Sequence, residues 1–268
     1  MSKSVTSVIH YTSLDVLYAI LQNALQDPEN VSEKSPFITL HLGCLEMAND
    51  TVEFDFVLKK YFKELNPETQ ENNLIEELHY DGWQKFKAGF YSCAFSLMKS
   101  NKEDAQKGNL PLWSLYGNSF KGVYIRLDFQ KLKKYCNANG LQFKEIGYHS
   151  QNSLDTFLRK NYTDINKNWP RLLDAAVFQK PMAWKHENEW RIFKMAKLED
   201  MKVKTKNGIG YLYTEIKVPL EFINGIMLGP LVEFESQKFV IETLLKQINE
   251  IYKTEINIKI TQSKIKVR

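Results

Sequence analysis

The sequence predicts an α/β (α+β) fold, a mixed β-sheet with helices packed around it. Strand and helix signals alternate along the chain, yet several strands follow one another near the C-terminus, which argues against a doubly wound parallel sheet. Hydrophobic residues make up 43% and charged residues 25%, the balance of a chain that buries a sizeable core. No internal repeat, low-complexity tract or linker divides residues 1–268, so a single domain is expected.

The elements follow in order. Val5 to Tyr11 is rich in β-branched residues and predicts a first strand. Ser13 caps a helix whose Leu14, Leu17, Ile20 and Leu21 share one face. Pro36 to Leu40 predicts a second strand. Asn49-Asp50 starts a helix through Val52, Phe56, Val57 and Phe62, and Pro67 opens another over 68–87. Phe90 to Ser96 predicts a strand, Lys99 to Asn109 a polar loop, and Pro111 a helical turn through Trp113 and Tyr116. Gly122 to Asp128 is a strand followed by a helix to about Asn139. Leu141 to Tyr148 is a strand, and Asn152 to Phe178 a helix interrupted near Pro170. Strands over Glu187 to Met195, Gly210 to Val218 and Ile223 to Leu228, a helix over Phe234 to Tyr252, and a strand over Glu255 to Ile260 complete the chain.

Bulk properties narrow the function classes. The 36 basic and 32 acidic residues are interspersed, and a net charge of +4 does not mark a nucleic-acid binder. Lys259, Lys264, Lys266 and Arg268 form a basic tail without acidic partners, read as a solvated terminus. Cys44, Cys93 and Cys136 are odd in number and lack metal spacing. A polar start without an apolar signal region, and no apolar run of membrane-spanning length, lead to the expectation of a cytoplasmic protein with no membrane partner.

Five constellations have chemical potential. In Lys180-Pro-Met-Ala-Trp-Lys-His-Glu-Asn-Glu-Trp-Arg-Ile-Phe193, a strand from Glu187 would put Glu187, Glu189 and Arg191 on one face, with Lys180 and Pro181 flanking it upstream. Paired carboxylates repel, which separates their proton affinities unless a cation such as Arg191 intervenes. The same face is alternatively a solvated ion-pair ladder. His10-Tyr11-Thr12 ends the first strand with an imidazole and two hydroxyls, suited to sugar hydroxyls or a carboxamide, or to plain structural hydrogen bonding. Ser92, Ala94 and Ser96 share one strand face and leave room for a ligand or for tight packing. Trp113 and Tyr116, three apart, offer a stacking surface or a piece of core. Asn49-Asp50-Thr-Val-Glu53 is adequately read as a helix cap. No Gly-x-Gly-x-x-Gly, P-loop, Gly-x-Ser-x-Gly or His-Glu-x-x-His occurs, and no metal site is expected.

Taken in order, His10-Tyr11-Thr12-Ser13, Asn49-Asp50-x-x-Glu53, Ser92-Cys93-Ala94-Phe95-Ser96, Leu112-Trp113-Ser114-Leu115-Tyr116 with Lys121-Gly122-Val123, and Trp184-x-x-Glu187-x-Glu189-Trp190-Arg191 resemble an uncharacterised bacterial family, domain of unknown function 2971. Leu112 stands where that family commonly shows Met, and Ala94 interrupts its Cys-Phe-Ser run. The family looks similar to abortive-infection proteins of the AbiGi type, which implies phage defence.

A more distant likeness is to mono-ADP-ribosyltransferases, which carry a strand-end His or Arg, a Ser-Thr-Ser-like strand and a Glu-x-Glu strand in that order. His10, Ser92 to Ser96 and Glu187-x-Glu189 follow it. That likeness implies NAD as substrate and an ADP-ribosyltransferase-like fold. His10, Glu187 and Glu189 would be the catalytic residues. Tyr11, Thr12, Ser92, Trp113, Tyr116 and Arg191 would bind the nucleotide. It also implies a macromolecular acceptor, with homo-oligomer formation left open. Two alternatives stand beside this expectation: a non-enzymatic ligand sensor, and a metal-dependent nuclease using Glu187 and Glu189 with Asp50 or Glu53.

Overall fold

A computed structural model describes residues 6–26, 35–45, 56–57, 60–61, 89–98, 106–161, 172, 174–206 and 208–267. The expected helices after Asn49 and over 68–87, and most of the loop at 99–109, fall largely or wholly outside these residues. Helices combine with a mixed β-sheet, as the alternation of signals predicts. Internal packing groups the chain into two units. One comprises Met1–Leu40, Ala94–Gly140 and Ile216–Arg268; the other comprises His41–Cys93 and Leu141–Glu215.

In the first unit, β1 (Ser7–Thr12) pairs antiparallel with β4 (Val123–Asp128), from Ser7 opposite Asp128 to Thr12 opposite Val123. The last residues of β3 (Phe90–Leu97) flank β1 on its other side, Val8 facing Leu97. β11 (Ile223–Leu228) runs antiparallel to β4, and β12 (Lys259–Gln262) parallel to β11, so the pairing is mixed. Asn224 is an extra residue in β11, a β-bulge opposite Arg126. α1 (Leu14–Gln26) and α5 (Phe234–Tyr252) lie together, and the Tyr252 hydroxyl donates to the Ala24 carbonyl at 2.9 Å. Asp128 Oδ1 accepts from Lys131 N at 2.9 Å and caps α3 (Phe129–Ala138).

In the second unit, β5 (Gln142–Glu145) pairs antiparallel with β8 (Glu189–Met195), and the short β6 (Gly147–His149) pairs parallel with β7 (Gln179–Pro181). The first residues of β3 meet the end of β2 (Phe37–Cys44), Gly43 facing Ser92. β9 (Lys202–Lys206) and the start of β10 (Ile209–Pro219) form a hairpin in which Gly208 takes φ +78. The core gathers Leu154 and Leu158 of α4 (Gln151–Asn161), Ala175 to Phe178, Phe90, Ile146 and Phe193.

Two sequence expectations are corrected. The strand expected from Leu141 to Tyr148 is two strands broken at Ile146, whose amide donates to the Glu189 carbonyl at 2.9 Å. The helix expected over Asn152 to Phe178 is described at its two ends, as Gln151–Asn161 and over 174–178, and most of the part between lies outside the described residues. The strand expected from Glu187 begins two residues later, because Met182–Glu187 is a 3₁₀ helix and Asn188 turns left-handed at φ 48.

Candidate functional site

The second unit holds four buried charges within direct reach of one another. Glu189 opens β8 and Arg191 follows on the same face, as strand alternation dictates. Arg191 Nε donates to Glu189 Oε1 at 2.8 Å, and Arg191 Nη1 to the Val177 carbonyl at 2.7 Å. Glu187, at the end of the 3₁₀ helix, reaches the same place because the left-handed Asn188 folds the chain back. Lys180 of β7 then bridges the two carboxylates, 2.8 Å from Glu187 Oε2 and 2.6 Å from Glu189 Oε2. All four side chains are 7% exposed or less. The Trp184 ring lies 6.0 Å from Lys180 Nζ, within cation–π range.

Among the described residues charge is balanced here, two cations against two anions, and that balance allows burial. An isolated carboxylate in such a place would take up a proton. Burial alone pushes the Glu189 carboxyl upward; Arg191 and then Lys180 outweigh it and hold it below the usual carboxylate range. The Tyr148 hydroxyl accepts from Glu189 N at 2.8 Å, and burial raises its phenol well above the ordinary value, so it keeps its proton. A carboxylate ionised in a dry setting can stabilise a developing cation or orient a nucleophile.

Lys180 is the member that sequence reasoning passed over as a flanking residue. Its signal was the apolar stretch Ala175 to Phe178 just before it, all buried, which carries the chain into β7 inside the core.

In the first unit, His10 and Tyr11 point to opposite faces of β1, so the triplet His10-Tyr11-Thr12 does not present a common surface. His10 Nδ1 lies 3.0 Å from the Ala94 carbonyl and therefore carries the proton when the ring is neutral, and the ring packs 5.5 Å from Phe95. Burial lowers its proton affinity, offset in part by that carbonyl. Tyr11 lies on the other face, its ring edge-on to Trp113 at 5.0 Å and its hydroxyl accepting from Asn109 N at 2.9 Å. Trp113, in α2 (Leu110–Leu115), is fully enclosed, stacks on Tyr124 at 5.7 Å and donates to the Lys107 carbonyl at 2.8 Å. Tyr116 falls just past α2 and is exposed, so the two aromatics do not share a surface. Ser92, Ala94 and Ser96 do share the more open face of β3, opposite Tyr91, Cys93 and Phe95. Asp50 and Glu53 lie outside the described residues. Among the described residues no three His, Cys, Asp or Glu side chains are grouped to hold a metal ion.

Residues 112–192 match the family model described as protein of unknown function (DUF2971). The match runs from α2 to the middle of β8 and takes in the Leu112 to Tyr116, Lys121 to Val123 and Trp184 to Arg191 segments, so the family resemblance read from these motifs stands. No curated protein and no solved structure matches the chain. Among the described residues no helix is long and apolar enough to cross a membrane.

Proposed function

We propose that this is a cytoplasmic NAD-consuming protein of bacterial phage defence, an ADP-ribosyltransferase-like transferase or glycohydrolase that depends on Glu189. The supporting observation is that Glu189 is held ionised while 3% exposed. When nicotinamide leaves NAD, the bond to the ribose C1′ breaks with its electron pair going to the nicotinamide nitrogen. The sugar is left with oxocarbenium-like charge until water or an acceptor attacks. A fixed carboxylate in a dry site stabilises that charge by several kcal/mol. Glu187, 2.8 Å from the Lys180 that also contacts Glu189, orients the acceptor in this reading.

The test is nicotinamide release from NAD by the purified full chain. Glu189→Gln is expected to lower turnover roughly a hundredfold or more. Glu187→Gln is expected to lower transfer to an acceptor while hydrolysis persists, a split that general destabilisation does not produce. Wild-type protein that neither binds nor cleaves NAD overturns the proposal.

The balance of the four charges favours a second reading, a non-enzymatic ligand sensor in which they fix the backbone around a recognition surface. It predicts a rise in melting temperature with a ligand and no turnover.

A further inference from the structure

One face of the first unit's sheet has a gap. Arg126 of β4, Gly225 of β11 and Lys259 of β12 are consecutive cross-strand partners and share that face with Tyr124 and Thr261. Gly225 has no side chain to fill the place between the two cations. A Cβ there would come within 2.7 Å of Arg126 Nη2, so a larger residue would displace the guanidinium. A cavity of about 250 Å³ opens over Gly225, walled by Tyr124, Arg126, Lys259 and Thr261, with Gln106 also lining it.

Arg126, Lys259 and Tyr124 bring donors to this wall, and Arg126 is held in place. The bulge residue Asn224 accepts Arg126 Nε on Oδ1 at 2.6 Å and Nη2 on its carbonyl at 2.8 Å, which fixes the guanidinium plane and leaves Nη1 without a partner among the described residues. Lys259 is exposed and has no carboxylate partner among the described residues. Tyr124 is 2% exposed, and its hydroxyl has no hydrogen bond among the described residues. Burial pushes its phenol up to about 12, so it remains a donor at neutral pH. No acidic side chain is among the described lining residues.

We propose that this cavity binds the phosphate or diphosphate group of a small soluble ligand. Two cations on separate strands, with the Tyr124 hydroxyl in the neighbouring cross-strand row, match a tetrahedral group that presents oxygens in several directions; a planar carboxylate would engage only one side. The volume is below the roughly 300–1,000 Å³ of sites that enclose whole drug-sized molecules, so the anionic end of the ligand is what enters. The basic tail of the sequence acquires a role here, because Lys259 lies in β12 as part of the wall. The site stands independently of the reading of Glu189.

The test is calorimetric titration of the full chain with inorganic pyrophosphate, with citrate as the carboxylate control. Pyrophosphate is expected to bind with an affinity that falls as salt rises. Lys259→Gln, at an exposed position, should weaken it about tenfold, and Arg126→Gln should weaken it further. Three results overturn the proposal: no pyrophosphate binding at millimolar concentration, citrate binding as tightly as pyrophosphate, or unchanged affinity in a folded Lys259→Gln protein.

Discussion

The second unit contains two groups of four polar residues that are similar in composition and opposite in setting. Lys180, Glu187, Glu189 and Arg191 meet in the interior. On the β9–β10 hairpin, Lys202 approaches Glu215 at 2.5 Å, His41 lies 3.5 Å from the same carboxylate, and Lys204 lies 3.1 Å from His41. Distances do not separate the two groups; water does. The Lys202 side chain is 53% exposed, against 7% for Lys180. In the wet group the lysines stay largely hydrated and the pairs are screened. In the dry group each charge depends on its neighbours, so the loss of one leaves the others uncompensated.

The largest expected effect follows from that dependence. Lys180→Met keeps the length of the side chain and strands two carboxylates beside one guanidinium. It is expected to destabilise the protein by about 3–5 kcal/mol, read as a lower urea midpoint. A loss as small as that of a surface pair would break the contrast.

The pH dependence of stability should be intermediate, with two separate windows. Glu189 has a folded proton affinity below its ordinary value of 4.5. Its contribution is therefore present above about pH 4.5 and is lost as pH falls further through the folded value, and Glu189→Gln should remove that acid limb. His41 is lowered from 6.5 by burial first and Lys204 second. The unfolded chain thus takes up a proton before the folded one, and stability declines as pH falls below 6.5. His10 shifts in the same direction. His41→Gln should flatten only the part of that slope due to the hairpin, checked by urea midpoints across the acid range.

The smallest effect is expected from Lys202→Ala. It should cost under about 1 kcal/mol and shrink with added salt. A larger, salt-insensitive loss would show that the hairpin charges are less hydrated than their exposure implies.

Much of the fold was legible because it rests on local chemistry. β11 and α5 have the predicted limits, since a short apolar run bounded by turns and a long amphipathic stretch are unambiguous patterns. β9 was missed: Lys-Val-Lys-Thr-Lys has one apolar residue, Val203, and it is 70% exposed, so neither face carries a hydrophobic signal. Glu187, Glu189 and Arg191 were legible as a group, but the reason given for their proximity was not the one observed. Strand alternation accounts for Glu189 and Arg191. It does not account for Glu187, which arrives by way of a left-handed residue that no periodicity reveals. Lys180 joins through tertiary structure, and neither strand nor helix periodicity pairs it with Glu187 or Glu189.

Asn188 gives the Glu-x-Glu spacing a different meaning. The intervening position is a hinge in the backbone path and not a rung of a ladder, so its identity matters as much as the acids on either side. Asparagine tolerates a positive φ better than most side chains, whereas a β-branched residue does not. Valine at 188 would favour a straight continuation of β8 and swing one carboxylate away from its lysine, although every charged residue in the motif would still be written in the sequence.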